Sequence, residues 1–266
     1  MMIRLIDAEF RRLLATRLWA VALVVAVLTG GVLVGLLTLL GPENLDQPMP
    51  GLDTAAGVQG VVGLIGYTVF VPVVLGTLAV TSEYRHRTID VTFLFAPRRW
   101  RVLLAKLVAY TGYGLAYGLT LTATGAAVLL TGAAARDLTL GLPTGTVLEL
   151  FGRLALTLAV HMLIGVGIGA LLRNQAAALA AVLGYFYLLE PLLVLVPGAG
   201  WFYPFLPAGA TAALTGFSYV LDAAAVELGD TPVRLMSPLL GGVLLAGYAT
   251  VAALLAVALP MRRDVT

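Results

Sequence analysis

Six long apolar stretches divide the chain, and few folds are open to a sequence that has so many. They cover residues of about 18–40, 57–80, 104–131, 149–172, 175–196 and 239–259. A helix needs roughly 20 mostly apolar residues to cross the hydrocarbon of a bilayer, so each stretch is long enough. Hydrophobic residues make up 60% of the chain and charged residues 11%, whereas soluble domains carry about a quarter charged residues. The sequence therefore predicts an all-α, polytopic membrane protein, a single transmembrane domain over 1–266.

Basic residues are concentrated on one side of the predicted membrane. Of the 16 Lys and Arg residues, 13 lie before the first stretch, around the loop after the second, between the fourth and fifth, or after the sixth. The positive-inside rule places that side in the cytoplasm. Both termini are therefore predicted to be cytoplasmic, and the predicted location is the bacterial cytoplasmic (inner) membrane.

Two segments outside the stretches have helical patterns of their own. Residues 2–17 place Ile3, Ile6, Phe10, Leu13 and Leu14 on one face, which predicts an amphipathic helix in the membrane interface. One interpretation is that this helix only anchors the first span. The alternative is that it also contacts a cytoplasmic partner. Residues 197–238 are too apolar for a water-exposed loop and too broken to span, so we expect short re-entrant or interfacial helices on the extracellular side.

The loop 81–101 is the most informative stretch of the sequence. It predicts a short helix with Ile89, Phe93 and Leu94 on one side, ended by Pro97. One interpretation is a topology signal that contacts lipid headgroups. We favour a docking element for a cytoplasmic protein, because a topology signal needs arginines but has no use for Glu83 and Asp90.

Two ionisable residues fall inside predicted spans. His161 lies near the middle of the fourth span, and Glu190 lies in the outer third of the fifth. Ionisable groups in hydrocarbon are costly and usually face the protein interior or a cavity. Both are therefore candidates for lining a transport path, with a structural role in bracing helices as the alternative.

Motifs for catalysis are missing from the sequence. It has no Cys and only 2 His, which makes a metal site unexpected. It contains no phosphate-binding loop of the G-x-x-x-x-G-K-[ST] type and no Ser/His/Asp arrangement. We therefore predict no catalytic residue, no metal and no cofactor in this chain, and no enzymatic activity of its own.

Two parts of the sequence have distinctive motifs. The loop contains Glu83-Tyr-Arg-His-Arg-Thr88, Ala96-Pro97-Arg98-Arg99 and Ala105-Lys106, and a glycine-rich hairpin runs from Gly165 to Gln175. In these motifs, and over most of its length, the chain resembles the membrane (permease) subunits of type-2 ABC (ATP-binding cassette) exporters. The amphipathic N-terminal helix and the segment before the last span agree with this resemblance.

The resemblance implies that the loop helix is a coupling helix in a groove of a separate ATPase, which binds ATP and Mg. The implied coupling residues are Glu83, Tyr84, Arg85, Arg87, Thr88, Pro97 and Arg98. It also implies two ATPase copies and a second permease, either the same chain or a related one. An amphipathic or hydrophobic drug, peptide or lipid-like compound would leave the cytoplasm along the first, second and fifth spans.

Three other classes of function stay open at this point. A self-powered secondary transporter should show inverted repeats and more intramembrane ionisable residues. A membrane-embedded enzyme should show clustered catalytic groups, whereas a membrane scaffold of a larger complex need show neither. Lipid is an expected partner in every case, and nucleic acid is not.

Overall fold

The computed structural model describes residues 2–45, 49–96, 98–196, 198–218, 222 and 233–258, and it contains no strand in these ranges. The prediction of an all-α membrane protein is confirmed. The helices are α1 (Met2–Ala15), α2 (Leu18–Leu40), α3 (Ala55–Arg85), α4 (Ile89–Phe95), α5 (Arg99–Ala135), α6 (Thr144–Leu172), α7 (Gln175–Val194), α8 (Pro207–Thr215) and α9 (Pro238–Ala258). Within the described ranges, six helices are long and apolar enough to cross a membrane: α2, α3, α5, α6, α7 and α9.

Helix α6 is the centre of the bundle. It packs along α3, α5 and α9, and Leu154, Leu158 and Met162 on it are fully buried. Helices α2, α7 and α9 bury much less of their apolar surface. Lipid tails solvate such surface as well as a protein core does, so these outer helices are stable at the edge of the bundle.

Close contacts between the central helices depend on small residues. A Cβ atom on Gly118 of α5 would lie 2.5 Å from the Ala155 carbonyl oxygen of α6, and one on Gly165 would lie 2.0 Å from the Val73 carbonyl oxygen of α3. The Gly-x-x-x-Gly pairs Gly114/Gly118 in α5 and Gly165/Gly169 in α6 therefore allow helix backbones to touch, as such spacings commonly do in lipid.

Several helices extend beyond the apolar stretches. Helix α3 continues to Arg85, so residues 81–85 are helical rather than part of a loop. Helix α5 has 37 residues, about 55 Å at 1.5 Å per residue, which exceeds the thickness of the hydrocarbon. Helix α6 begins directly after Pro143, its N-cap residue, which has no backbone N–H that would need a partner. Hydropathy therefore indicated the membrane crossing, while the local backbone determined the helix ends.

Loops predicted to share a side of the membrane contact one another. Arg85, at the end of α3, donates a hydrogen bond to Gln175 Oε1 at the α6–α7 turn, at 3.3 Å. On the opposite side, the Gly141 N–H donates to the Leu52 carbonyl at 2.9 Å. We call the side with α1, α4 and the α6–α7 turn the basic side. That this side faces the cytoplasm stays a prediction.

The described part of the segment 197–238 contains the short helix α8 and two 3₁₀ turns, Ala199–Trp201 and Tyr203–Phe205. Helix α8 packs against α9 and α6, and most of its residues are buried. The Tyr248 hydroxyl of α9 donates to the Phe205 carbonyl at 2.7 Å, which fixes the turn before α8. Re-entry of this segment into the bilayer stays a prediction, and its residues 197, 219–221 and 223–232 lie outside the described residues.

Candidate functional site

Four charged side chains meet on the basic side, and we call them the ion-pair cluster: Glu9, Arg12, Glu83 and Lys106. Lys106 Nζ donates to Glu9 Oε2 at 2.7 Å and to Glu83 Oε1 at 2.5 Å. It also lies 3.3 Å from the Ala79 carbonyl oxygen. The cluster joins α1, α3 and α5 at a single point.

Three members of the cluster are buried, Arg12 is partly exposed, and the formal charges balance. Lys106 is only 2% exposed, Glu9 4% and Glu83 8%. Removing an ion from water costs several kcal/mol unless a partner of opposite charge and further hydrogen bonds compensate. Two carboxylates face one ammonium and one guanidinium here, so the formal charges cancel. Since the partners come from three helices, the cluster constrains how those helices pack.

Arg12 extends the cluster to α4. Its Nη1 atom lies 2.7 Å from Glu83 Oε1 and 3.2 Å from Glu9 Oε1. Its Nη2 atom donates to the Thr92 hydroxyl at 2.8 Å, and Thr92 is buried in the middle of α4. Helix α4 is therefore tied to the membrane bundle through the partly exposed guanidinium of Arg12, which bridges buried Glu83 and buried Thr92.

The opposite face of α4 is apolar and exposed. Leu94 is 80% exposed and Phe95 83%, and Val91 is also exposed, whereas Ile89 is buried. Phe93 is half-buried, with the Arg99 guanidinium 5.1 Å from its ring centre. The expected apolar face of Ile89, Phe93 and Leu94 is therefore wrong: Ile89 packs inward while Leu94 points outward, because Thr92 supplies the polar anchor.

The implied coupling residues fall into three groups. Glu83 lies within the ion-pair cluster, and Tyr84 is half-buried with the Arg173 guanidinium 5.8 Å from its ring centre. The exposed members are Arg85, Arg87, Thr88 and Arg98. Arg87 has a φ of +54°, the left-handed conformation that ends α3. Pro97 lies outside the described residues.

Glu9 is the member of the cluster that the sequence analysis missed, and Arg12 was counted only among the charges of the basic side. One sequence feature could have indicated the cluster: Lys106, which is the only lysine of the chain. A lysine within an apolar helix usually has a carboxylate partner. The lysine alone does not show which carboxylate that is, because Glu9 lies 97 positions away in the sequence.

A cavity of about 420 Å³ lies between α3, α7 and α8. Gly66 and Phe70 of α3 line one wall, Phe186 and Glu190 of α7 another, and Thr211 of α8 a third. Most of its lining is apolar. Glu190 is the one carboxylate among the described lining residues.

Glu190 is 2% exposed and has one oxygen satisfied. Its Oε1 atom accepts a hydrogen bond from the Ala208 N–H at 2.6 Å. Ala208 lies in the first turn of α8, where backbone N–H groups have no partner within the helix. The Tyr185 side chain is close enough to interact electrostatically with the same carboxylate. Oε2 of Glu190 nevertheless has no hydrogen-bond partner in the described part of the chain. Glu190 thus both braces α8 and lines the cavity.

His161 does not line the cavity. It is fully buried in α6, and its Nδ1–H donates to the Thr157 carbonyl at 2.8 Å. The Phe186 ring, which does line the cavity, lies 5.7 Å away between ring centres. The two path candidates are therefore not equivalent: Glu190 reaches the cavity, and His161 lies behind an aromatic ring.

The fold and the two sites define a multi-pass, helical membrane protein. No protein-family model matches its sequence, and no curated protein matches it either. The evidence on function therefore comes from three features of the structure: the exposed face of α4, the ion-pair cluster beneath it and the cavity.

Proposed function

We propose that this chain is the permease subunit of an ABC exporter and that a separate ATPase docks on α4 at the basic side. The observation that carries the proposal is the combination of an exposed apolar face on α4 with a buried ionic anchor beneath it. Exposed apolar residues on a fixed element commonly mark a protein-binding surface. Leu94 and Phe95, each more than three-quarters exposed, would be the residues that the ATPase buries.

The ion-pair cluster supports a coupling role. The hydroxyl of Thr92 on α4 accepts a hydrogen bond from Arg12 of α1, and Arg12 forms a salt bridge with Glu83 of α3. A displacement of α4 by a docked ATPase would therefore move α1, α3 and α5 with it. Such rigid-body movement of packed helices is one established way to switch a transporter between two states.

Charge around α4 favours a protein partner over lipid. Arg85, Arg87 and Arg98 are exposed on its flanks, but Asp90 is exposed on the helix itself. Anionic headgroups attract basic residues and repel an acidic one. A protein groove with charges of both signs can accommodate both, which favours the ATPase as occupant.

The outer position of α2 and α7 is compatible with a second permease copy. Both helices leave most of their apolar surface uncovered in the single chain. In the proposed assembly, two permeases and two ATPases move an amphipathic or hydrophobic compound outward between the permeases by alternating access. ATP and Mg would be bound by the ATPase subunits.

Co-purification from a native host tests the proposal. The tagged chain should retain a cytoplasmic ATPase, and the chain stripped of partners should hydrolyse no ATP. Leu94→Glu should abolish ATPase retention without altering membrane insertion or the elution volume. The matched control is Ile3→Glu, because Ile3 is 82% exposed on another short helix of the basic side.

Three results would contradict the proposal. One is ATP turnover by the chain alone, and another is wild-type protein that retains no ATPase. The third is ATPase retention by Leu94→Glu at the level of Ile3→Glu, which would reject α4 as the docking element.

The position of Glu190 favours a second candidate function, a self-powered secondary transporter. A membrane carboxylate that lines a cavity is a common element of ion- or proton-coupled transport. This alternative predicts substrate movement in ATP-free proteoliposomes under a proton gradient. The exporter predicts no such movement without ATP and the ATPase.

A further inference from the structure

We propose that the cavity between α3, α7 and α8 binds an apolar molecule carrying one ammonium group, which pairs with Glu190. Binding by the chain is argued from the cavity itself. The role of the bound molecule as exported cargo rests on the proposed function.

The unsatisfied oxygen of Glu190 is the first argument. Oε2 is buried and has no hydrogen-bond partner in the described part of the chain. A buried polar atom left without a partner is costly, and a buried charge without a counter-charge more so. No lysine, arginine or histidine is among the described residues that line the cavity. A cation that carries an N–H donor would give Oε2 a hydrogen bond and would give the carboxylate a counter-charge.

The aromatic lining is the second argument. Phe70 and Tyr187 form an edge-on pair with ring centres 5.2 Å apart, and Tyr67 and Phe217 form another at 6.3 Å. All four line the cavity, as do Phe186 and Tyr203. Aromatic faces attract cations as well as burying apolar surface, and this attraction is stronger where water is excluded. The lining therefore suits an organic cation better than a neutral hydrocarbon.

Size and backbone geometry agree with a small-molecule site. A volume of about 420 Å³ falls within the range of roughly 300–1,000 Å³ typical of ligand pockets. A π-helical turn, Tyr185–Leu189, directly precedes Glu190, and such turns occur frequently at functional sites. At the end of this turn, the exposed side chain of Leu189 is followed directly by the buried side chain of Glu190.

The donor set argues against a metal ion. The described residues contain no group of three or more His, Asp or Glu that could hold one. A single carboxylate surrounded by aromatic rings lacks the several oxygen ligands that Mg²⁺ or Ca²⁺ requires. An organic ammonium needs only one counter-charge and an apolar enclosure.

A matched pair of probes tests the proposal. 4-Phenylbutylamine and 4-phenylbutan-1-ol share a skeleton, but only the amine is a cation at neutral pH. Calorimetric titration of the purified chain in nanodiscs, corrected with empty nanodiscs, should show the amine binding roughly tenfold or more tightly than the alcohol, as a charge-assisted hydrogen bond predicts. Glu190→Gln should remove that preference while leaving alcohol binding within about twofold.

Control variants separate the site from general effects of charge. Glu149→Gln removes a carboxylate that is paired with Arg153 outside the cavity and should leave the amine preference intact. If Glu190→Gln does not fold, Phe70→Leu provides a second test. It removes one aromatic face, keeps most of the apolar volume and should weaken amine binding more than alcohol binding.

The outcomes are distinct from those of the proposed function, because the titration contains no ATPase. Equal affinity for the amine and the alcohol would overturn the inference, as would an amine preference that survives in Glu190→Gln. If Glu190→Gln does not fold, equal weakening of both probes in Phe70→Leu would overturn it. Amine-selective binding by a chain that retains no ATPase would keep the site and reject the exporter.

Discussion

Nζ of Lys106 lies 2.5 Å from Oε1 of Glu83, and this contact closes the base of the segment that carries α4. Glu83 belongs to the last turn of α3, and Lys106 lies about two turns into α5. The segment between them leaves the bundle and returns to it at a buried ion pair.

The first prediction concerns the stability of the ion-pair cluster. Lys106→Met should lower the free energy of unfolding by about 3–5 kcal/mol, because Glu9 and Glu83 lose their buried cation, stay buried and keep only the partly exposed Arg12 as a counter-charge. Thermal unfolding of the purified protein in detergent should show a clearly lower Tm. Arg11→Met is the control, since the Arg11–Asp7 pair is exposed and should contribute about 0–1 kcal/mol. Equal Tm values for the two variants would show that the cluster does not stabilise the fold.

The second prediction concerns the anchoring of α4. Arg12→Gln should break the contacts with Glu83 and Thr92 and loosen α4 without unfolding the spans. Hydrogen exchange should then become faster for residues 86–96 and stay unchanged in α6. Arg11→Gln, one residue away and outside the cluster, should leave exchange in α4 as in the wild type. Unchanged protection of α4 in Arg12→Gln would contradict the anchoring role.

The third prediction concerns helix packing. Gly165→Ala should destabilise the protein, because the added Cβ atom would lie 2.0 Å from the Val73 carbonyl oxygen. Gly152→Ala on the same helix meets nothing within 4 Å and should be neutral or stabilise α6 by up to about 1 kcal/mol, since alanine has the higher helix propensity. In the same detergent, Gly165→Ala should have a lower Tm than the wild type, and Gly152→Ala should have a Tm equal to or higher than the wild type. A Tm for Gly165→Ala at or above that of Gly152→Ala would argue against a close α3–α6 crossing.

The fourth prediction concerns membrane orientation, and the absence of cysteine in the chain makes it easy to test. His86→Cys lies on the basic side and Thr139→Cys on the opposite side, and both positions are exposed. In intact cells a membrane-impermeant maleimide should label Thr139→Cys and spare His86→Cys until the cells are lysed. The reverse pattern would place the basic side outside and would remove the basis for a cytoplasmic ATPase on α4.

Much of the fold could be predicted from the sequence, because crossing a membrane is a local requirement. The stretch 18–40 coincides with α2, and the other five stretches each lie within or closely overlap one long helix. The four-residue spacing of Glu149 and Arg153 favours an ion pair on one helix face, and the structure contains that pair. Helix ends were less predictable, because α3 continues to Arg85 in a polar stretch that hydropathy does not detect.

The candidate sites could be predicted only in part. Glu190 was recognisable as an expensive residue in an apolar helix. Its partner, the Ala208 N–H, comes from a helix that has no distinctive sequence pattern. Glu83 was singled out for a surface role, yet its carboxylate faces Arg12 and Lys106 inside the bundle. An isolated charge in the sequence indicates that a partner is needed, but it does not identify the partner.

The sequence by itself determined the number of apolar helices and the concentration of basic residues on alternate loops. Both follow from hydropathy and charge summed along the chain, which do not depend on which helices touch. Only the tertiary structure decided that Glu9 and Lys106 meet across 97 positions, that Leu94 points away from the bundle, and that Glu190 lines a cavity with one oxygen that has no hydrogen-bond partner among the described residues. Those outcomes depend on how close-packed helices are placed in three dimensions, where glycine contacts and buried ion pairs select one arrangement among many with the same hydropathy.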